Sequence, residues 1–260
     1  MARLRSPFYV GSMRLARALL PLLLLLPAAC GKTDTASNAQ SSKSGTSVAE
    51  PPPAGGEVAR PAAAELAPFK IGQWSKYRIN MDDGTSTEVT YKVVAEEGGA
   101  YWLEIVRGAA DAGTVMQLLI NVTSRTDPSS LEIRAARIRM PNNQIRELRD
   151  EMLKPTAEGY KRALSDIFAP SLTGAEQEDV TVPAATFRGA YKRIQKIETA
   201  KANSEQTVWL HPAVPISGVV KSEEIGKPNR TELLTWGATG AISRAEVTTH
   251  LRYLDITSPI

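Results

Sequence analysis

One cysteine, two histidines and no apolar run long enough to cross a bilayer are the first facts of this 260-residue chain. With Cys30 the sole thiol, the chain can form no internal disulfide and no thiolate cluster, so its stability must come from a packed core. His211 and His250 have no cysteine or histidine at ligand spacing, which leaves no zinc pattern and no expected metal site. No G-x-S-x-G elbow and no phosphate-binding glycine loop occurs. The paired acids Glu96-Glu97 and Glu223-Glu224 lie beside turn glycines, where solvation accounts for them better than acid–base work. The chain therefore reads as a non-enzyme without a cofactor. The longest apolar run, Ala18 to Leu26, is far short of the roughly 20 residues a transmembrane helix needs.

That run is preceded by Arg14 and Arg17 and followed by Ala28 and Ala29, the order of a secretory signal peptide over residues 1–29, with Met13 an alternative start. Ala28, Ala29 and Cys30 resemble the lipobox of bacterial lipoproteins, from which Pro27 departs where the family prefers leucine. The resemblance implies that Cys30 is acylated and becomes the mature N-terminus. An ordinary exported chain with an inert Cys30 is the alternative. Under the Gram-negative sorting convention, Gly31 after that cysteine implies the periplasmic face of the outer membrane. Four of the 31 basic residues lie in 1–29, leaving 27 against 28 acids. The mature chain is thus near neutral, and composition gives no case for nucleic acid.

Residues 30–67 are rich in Ser, Thr, Ala, Gly and Pro, without an aromatic side chain, and read as a disordered tether reaching on the order of 35 Å. Residues 68–260 read as one domain. Tyr77, Ile79 and Met81 alternate with polar residues, as do Val89, Tyr91 and Val93 after the turn Asp82-Asp83-Gly84. Together with YWLEIV at 101–106 they make an antiparallel meander. VMQLLINVT and LEIRAARIRM continue it, the latter with a change of apolar phase that asks for a bulge near Ala136. From Gln144 to Phe168 the apolar residues fall at helical spacing. Strands resume at 179–199, 205–212, 216–226 and 230–241. The expected fold is mainly β, a strongly curved antiparallel sheet of about ten strands, half-barrel-like, with a short helical insertion packed on one face.

Trp74, Tyr77, Trp102, Trp209 and Trp236 all fall in strand-like segments. Core packing is one reading of them; the other makes them the lining of a concave apolar cleft able to hold an acyl chain. His211, ahead of Pro212 at a strand end, reads as a solvent-facing turn residue. Arg134, Arg137 and Arg139, with Lys192, Arg193 and Lys196, read as a solvated basic face or as a contact for anionic headgroups.

The segments IGQWSKY at 71–77, VPAATF at 182–187, VWLHPAVPISGVVK at 208–221 and LLTWGATGA at 233–241 are similar to those of an uncharacterised group of bacterial lipoproteins. That group resembles in turn the half-barrel carriers and receptors of outer-membrane lipoprotein sorting. The resemblance implies an anchored domain that binds a lipid, an acyl chain or a lipoprotein. It transfers no functional residue.

Overall fold

Alternating apolar side chains build nearly every element of the protein. A computed structural model describes residues 55–108, 114–139, 145–149, 153, 161, 164–198 and 203–242, all within one compact unit, Thr46–Ile260. The signal segment, Cys30, His250 and the segment 243–260 lie outside the described residues. In chain order the strands are β1 (Gly56–Val58), β2 (Trp74–Asn80), β3 (Ser86–Glu97), β4 (Ala100–Arg107), β5 (Thr114–Val122) and β6 (Leu131–Arg139). They continue with β7 (Ile145–Arg149), β8 (Glu176–Val182), β9 (Ala185–Glu198), β10 (Asn203–Leu210), β11 (Val219–Glu224) and β12 (Arg230–Gly237).

These twelve strands form one open sheet in the order β1-β9-β10-β11-β12-β2-β3-β4-β5-β6-β7, with β8 also paired to β9. All pairings are antiparallel except β1 with β9. The fold is therefore mainly β, a curved sheet carrying a small helical insertion, whose residues 164–168 are helical. The helical reading of the segment after Gln144 is corrected in its first part. Ile145–Arg149 is strand β7, paired with β6. Ile145 packs toward Val106 and Val115 while Leu148 packs against the main cluster on the other face. Two apolar residues three apart thus mimic a helical stripe because both faces of this strand are covered.

The bulge also exists, two residues earlier than expected. Leu119 pairs with Ala135 and Ile120 with Ile133, so Arg134 is the extra residue that restores the inward phase of Ala136 and Ile138.

One face of the meander carries Val89, Leu103, Ile105, Leu118, Ile120 and Ala136. It is covered by residues outside the strands, namely Phe69, Leu153, Leu164, Phe168 and Ile216. The other face of β3–β7 is not solvated as a simple alternation would have it. Lys92, Glu104, Gln117, Arg137 and Glu147 stand in register across it. Lys92 Nζ donates to Glu104 Oε1 at 3.0 Å, Gln117 Nε2 to Glu104 Oε2 at 3.1 Å, and Arg137 Nε to Glu147 Oε2 at 2.9 Å. Glu104 is fully buried. Such a ladder adds little net stability, but a one-residue slip would strand its charges and so it fixes register.

Residues ahead of 68 also make contacts with the sheet. Glu57 pairs with Thr186 in the parallel β1–β9 contact, and Arg188 bridges Glu57 and Asp179. Leu66 is only 2% exposed and packs with Leu172, Tyr191, Val208 and Leu210. Its side chain occupies the space a Cβ on Gly218 would need, with Leu66 Cδ2 2.4 Å from that point, and Gly218 has φ +72. Residues 56–67 belong to the fold because Leu66 completes a core that the strands leave open.

Replacing Leu66 with Ala should lower unfolding stability by about 2–5 kcal/mol in a urea titration. An unchanged midpoint would return this residue to the tether.

Candidate functional site

The connection from β10 to β11, His211 to Gly218, is a buried loop. His211, Val214, Ile216 and Ser217 are all 2% exposed or less. Burying irregular backbone requires its polar groups to be paired internally. The loop does this by tight turns: His211 N–H donates to Gly218 O at 2.7 Å, Val214 N–H to His211 O at 3.0 Å and Ser217 N–H to Pro215 O at 2.9 Å. His211 is not the solvent-facing residue expected. Its Nδ1 accepts from Ala213 N–H at 3.1 Å, which leaves Nε2–H to donate to Ala59 O at 3.1 Å. Burial holds its pKa below the ordinary imidazole value, so the ring is a neutral staple between this loop and the chain entering from β1.

Ser217 Oγ lies 3.0 Å from Tyr77 Oη and accepts from Val219 N–H at 3.2 Å, while Tyr77 Oη donates to Val219 O at 3.1 Å. Burial pushes the Tyr77 phenol up to about 12. Both ring nitrogens of His211 face backbone groups, so it is not the base of Ser217. The two hydroxyls serve as a packed polar plug.

Ile216 is the one non-glycine among the described residues with positive φ, at 71°. For a β-branched side chain that conformation costs on the order of 1–3 kcal/mol. Its carbonyl accepts from Nη2 of Arg125, and the Arg125 guanidinium carbon lies 4.1 Å from the centroid of the Phe69 ring. Arg125 is 6% exposed, and its Nε and Nη1 have no partner. Burial alone pulls its pKa down to about 10, with no carboxylate acting on it. The loop that carries it is cross-braced. Ser124 N–H donates to Ser130 Oγ at 3.2 Å, Ser130 Oγ–H to Ser124 O at 2.7 Å, and Asp127 Oδ1 caps Ser129 N–H at 2.9 Å. A fixed turn therefore aims a cation into an apolar cluster, an arrangement that costs several kcal/mol without a counter-charge.

The five aromatic residues expected to line one cleft do not share one. Tyr77, Trp209 and Trp236 belong to a core cluster with Phe187, whose ring centroid is 5.3 Å from that of Trp236. Trp102 lies in a separate cluster with Leu119 and Ala135, its Nε1–H donating to Glu97 Oε2 at 2.9 Å and Arg137 stacked 3.8 Å from its ring centroid. Trp74 is half-buried and donates to Thr239 O at 3.1 Å. Its indole fills the place of any side chain at Gly237, where a Cβ would stand 2.4 Å from Trp74 Nε1. That contact explains the W-G pair of the final strand. Trp209 donates to Glu178 and sits beneath Lys192 and Lys221 at 5.7 and 5.0 Å.

Nor do the basic residues form a free patch. Arg134 pairs with Glu132, Arg137 with Glu147, Lys192 with Glu178, Arg193 with Asp166 and Lys196 with Glu205. Sequence reasoning missed Arg125, which sits in a polar turn, S-R-T-D-P-S-S, with nothing to mark it as buried.

No protein-family model and no curated protein matches the chain. Among solved structures it is similar to a protein from Bacteroides fragilis described as exported, with a YMCC-like fold. The identity is 14% and the TM-score 0.30, over 67% of this chain and 99% of that one. At that TM-score the likeness identifies neither a family nor a shared site.

The raised Tyr77 pKa makes alkaline stability testable. The native state keeps the phenolic proton that the unfolded chain loses near pH 10. The contribution is therefore intact below pH 10 and is lost as pH rises from 10 to about 12. The loss is about 1.4 kcal/mol per pH unit. Tyr77→Phe should flatten that limb by one proton in urea titrations from pH 9 to 12, while Tyr91, also raised by burial, keeps its own share.

Proposed function

We propose that the chain is a non-enzymatic lipoprotein of the cell envelope, anchored through acylated Cys30 to the periplasmic face of the outer membrane. Its β domain binds an apolar ligand or a lipoprotein. The lipobox-like Ala28-Ala29-Cys30 supports the anchor. Two acyl chains make such attachment effectively stable. The binding role rests on one observation, the uncompensated Arg125 against the strained Ile216 carbonyl at the covered face of the meander. Folded proteins seldom keep both costs at one point without a use for them. The linker from Cys30 to Gly55 would reach about 25–30 Å if it behaves as a flexible coil, so the domain could turn toward a partner in the periplasm.

A second reading is a structural or protein-interaction module with a self-filled core and no ligand. The burial of Tyr77, Trp209 and Trp236 within one cluster favours it.

Mass spectrometry of the N-terminal peptide should show a diacylglyceryl Cys30, and an unmodified thiol would remove the anchor. A fluorescent fatty acid mixed with the released domain should bind and be displaced by unlabelled acyl chains. No displaceable binding, with tryptophan fluorescence unchanged, would select the self-filled module.

A further inference from the structure

Arg125 is the strongest candidate for a site that the packing does not use up. Of the described side chains it alone carries a full charge, lies more than nine-tenths buried and leaves two nitrogens without any partner. A guanidinium has five N–H donors and no acceptor. Here one nitrogen is spent on the Ile216 carbonyl, and the plane is stacked on Phe69. The carbonyl dipole and the aromatic face offset part of the cation's desolvation, but neither supplies a counter-charge. The surroundings are apolar: Phe69 meets Tyr101 at 5.8 Å and Phe168 at 6.4 Å, and all of these pack in the cluster that contains Ile216.

We infer that Arg125 is the anchoring cation for a carboxylate that heads an apolar chain, the chain taking the place that the Phe69 and Phe168 side chains hold against Ile216 in the unliganded core. The charge calls for an anion and the walls call for hydrocarbon, so a carboxylate-headed amphiphile satisfies both where a small hydrated anion satisfies one. This assignment rests on the ligand-binding reading above and narrows its substrate class. The braced turn at Ser124–Ser130 keeps the guanidinium in place, so binding needs no reorganisation of the cation.

The test uses residues 30–260 with Cys30→Ser, which frees the chain from the membrane. Every contact described lies within residues 55–242, so the described packing is left whole. Three ligands are titrated by calorimetry: decanoate, decanol and inorganic phosphate. Decanoate should bind at least tenfold more tightly than decanol, and phosphate should not bind measurably. Arg125→Met should lose at least tenfold in decanoate affinity while its melting temperature stays level or rises, because a buried unpaired charge has been removed. Equal binding of decanol and decanoate would overturn the role of Arg125 and keep an apolar site. Binding of none of the three would overturn both. A lower melting temperature for Arg125→Met with decanoate affinity retained would make Arg125 a structural brace of Ile216. If that variant does not fold, the decanoate-to-decanol ratio of the parent chain decides alone.

Discussion

An open, curved sheet has an apolar face that something must cover, and the described residues hold no second sheet to do it. The cover is made of residues from connections: Phe69 before β2, Leu164 and Phe168 in the helical insertion, and Ile216 in the β10–β11 loop. Much else follows from that constraint. A loop buried to supply Ile216 must pair its own backbone, which the turns at His211 and Pro215 achieve. The same loop needs Gly218 where Leu66 passes, and Leu66 in turn draws residues 56–67 into the fold. Arg125 meets the cover at its most strained point.

Strand alternation was plainly legible in the sequence. Val89, Tyr91 and Val93 share a face as their spacing says, and the turn at Asp82–Gly84 closes β2 onto β3. What failed failed for physical reasons. β7 reads as a helix because Ile145 and Leu148 are both covered, on opposite faces. β1 is three residues long and parallel, so neither periodicity nor a hairpin turn can announce it. Leu66 is one leucine in a polar stretch, and only its tertiary contacts mark it.

The site was less legible than the fold. The aromatic residues were recognisable as buried, yet spacing could not tell that Trp102 faces away from Tyr77 and Trp236. Arg125 gave no signal at all. Ile216 gave a faint one, since Pro215-Ile216-Ser217-Gly218 is a turn sequence with a β-branched residue in its middle. The histidine was misread because a His-Pro pair at a strand end usually lies in water; here its two nitrogens satisfy backbone that the buried loop would otherwise strand. Charge was misread in the same way. Arg134 and Arg137 of β6 look like a basic face in one dimension, and Glu132 on the same strand and Glu147 across on β7 neutralise them in three.

The apolar face of the meander depends on connection residues that belong to the cooperative core. The most direct measurement is the unfolding free energy of Phe168→Ala, since Phe168 has no exposed surface and contacts the Phe69 and Tyr91 rings. A loss of about 3–5 kcal/mol in a single transition is the predicted result. A loss below about 1 kcal/mol, of the size expected for a surface substitution, would show that the insertion does not hold that face and would contradict the account.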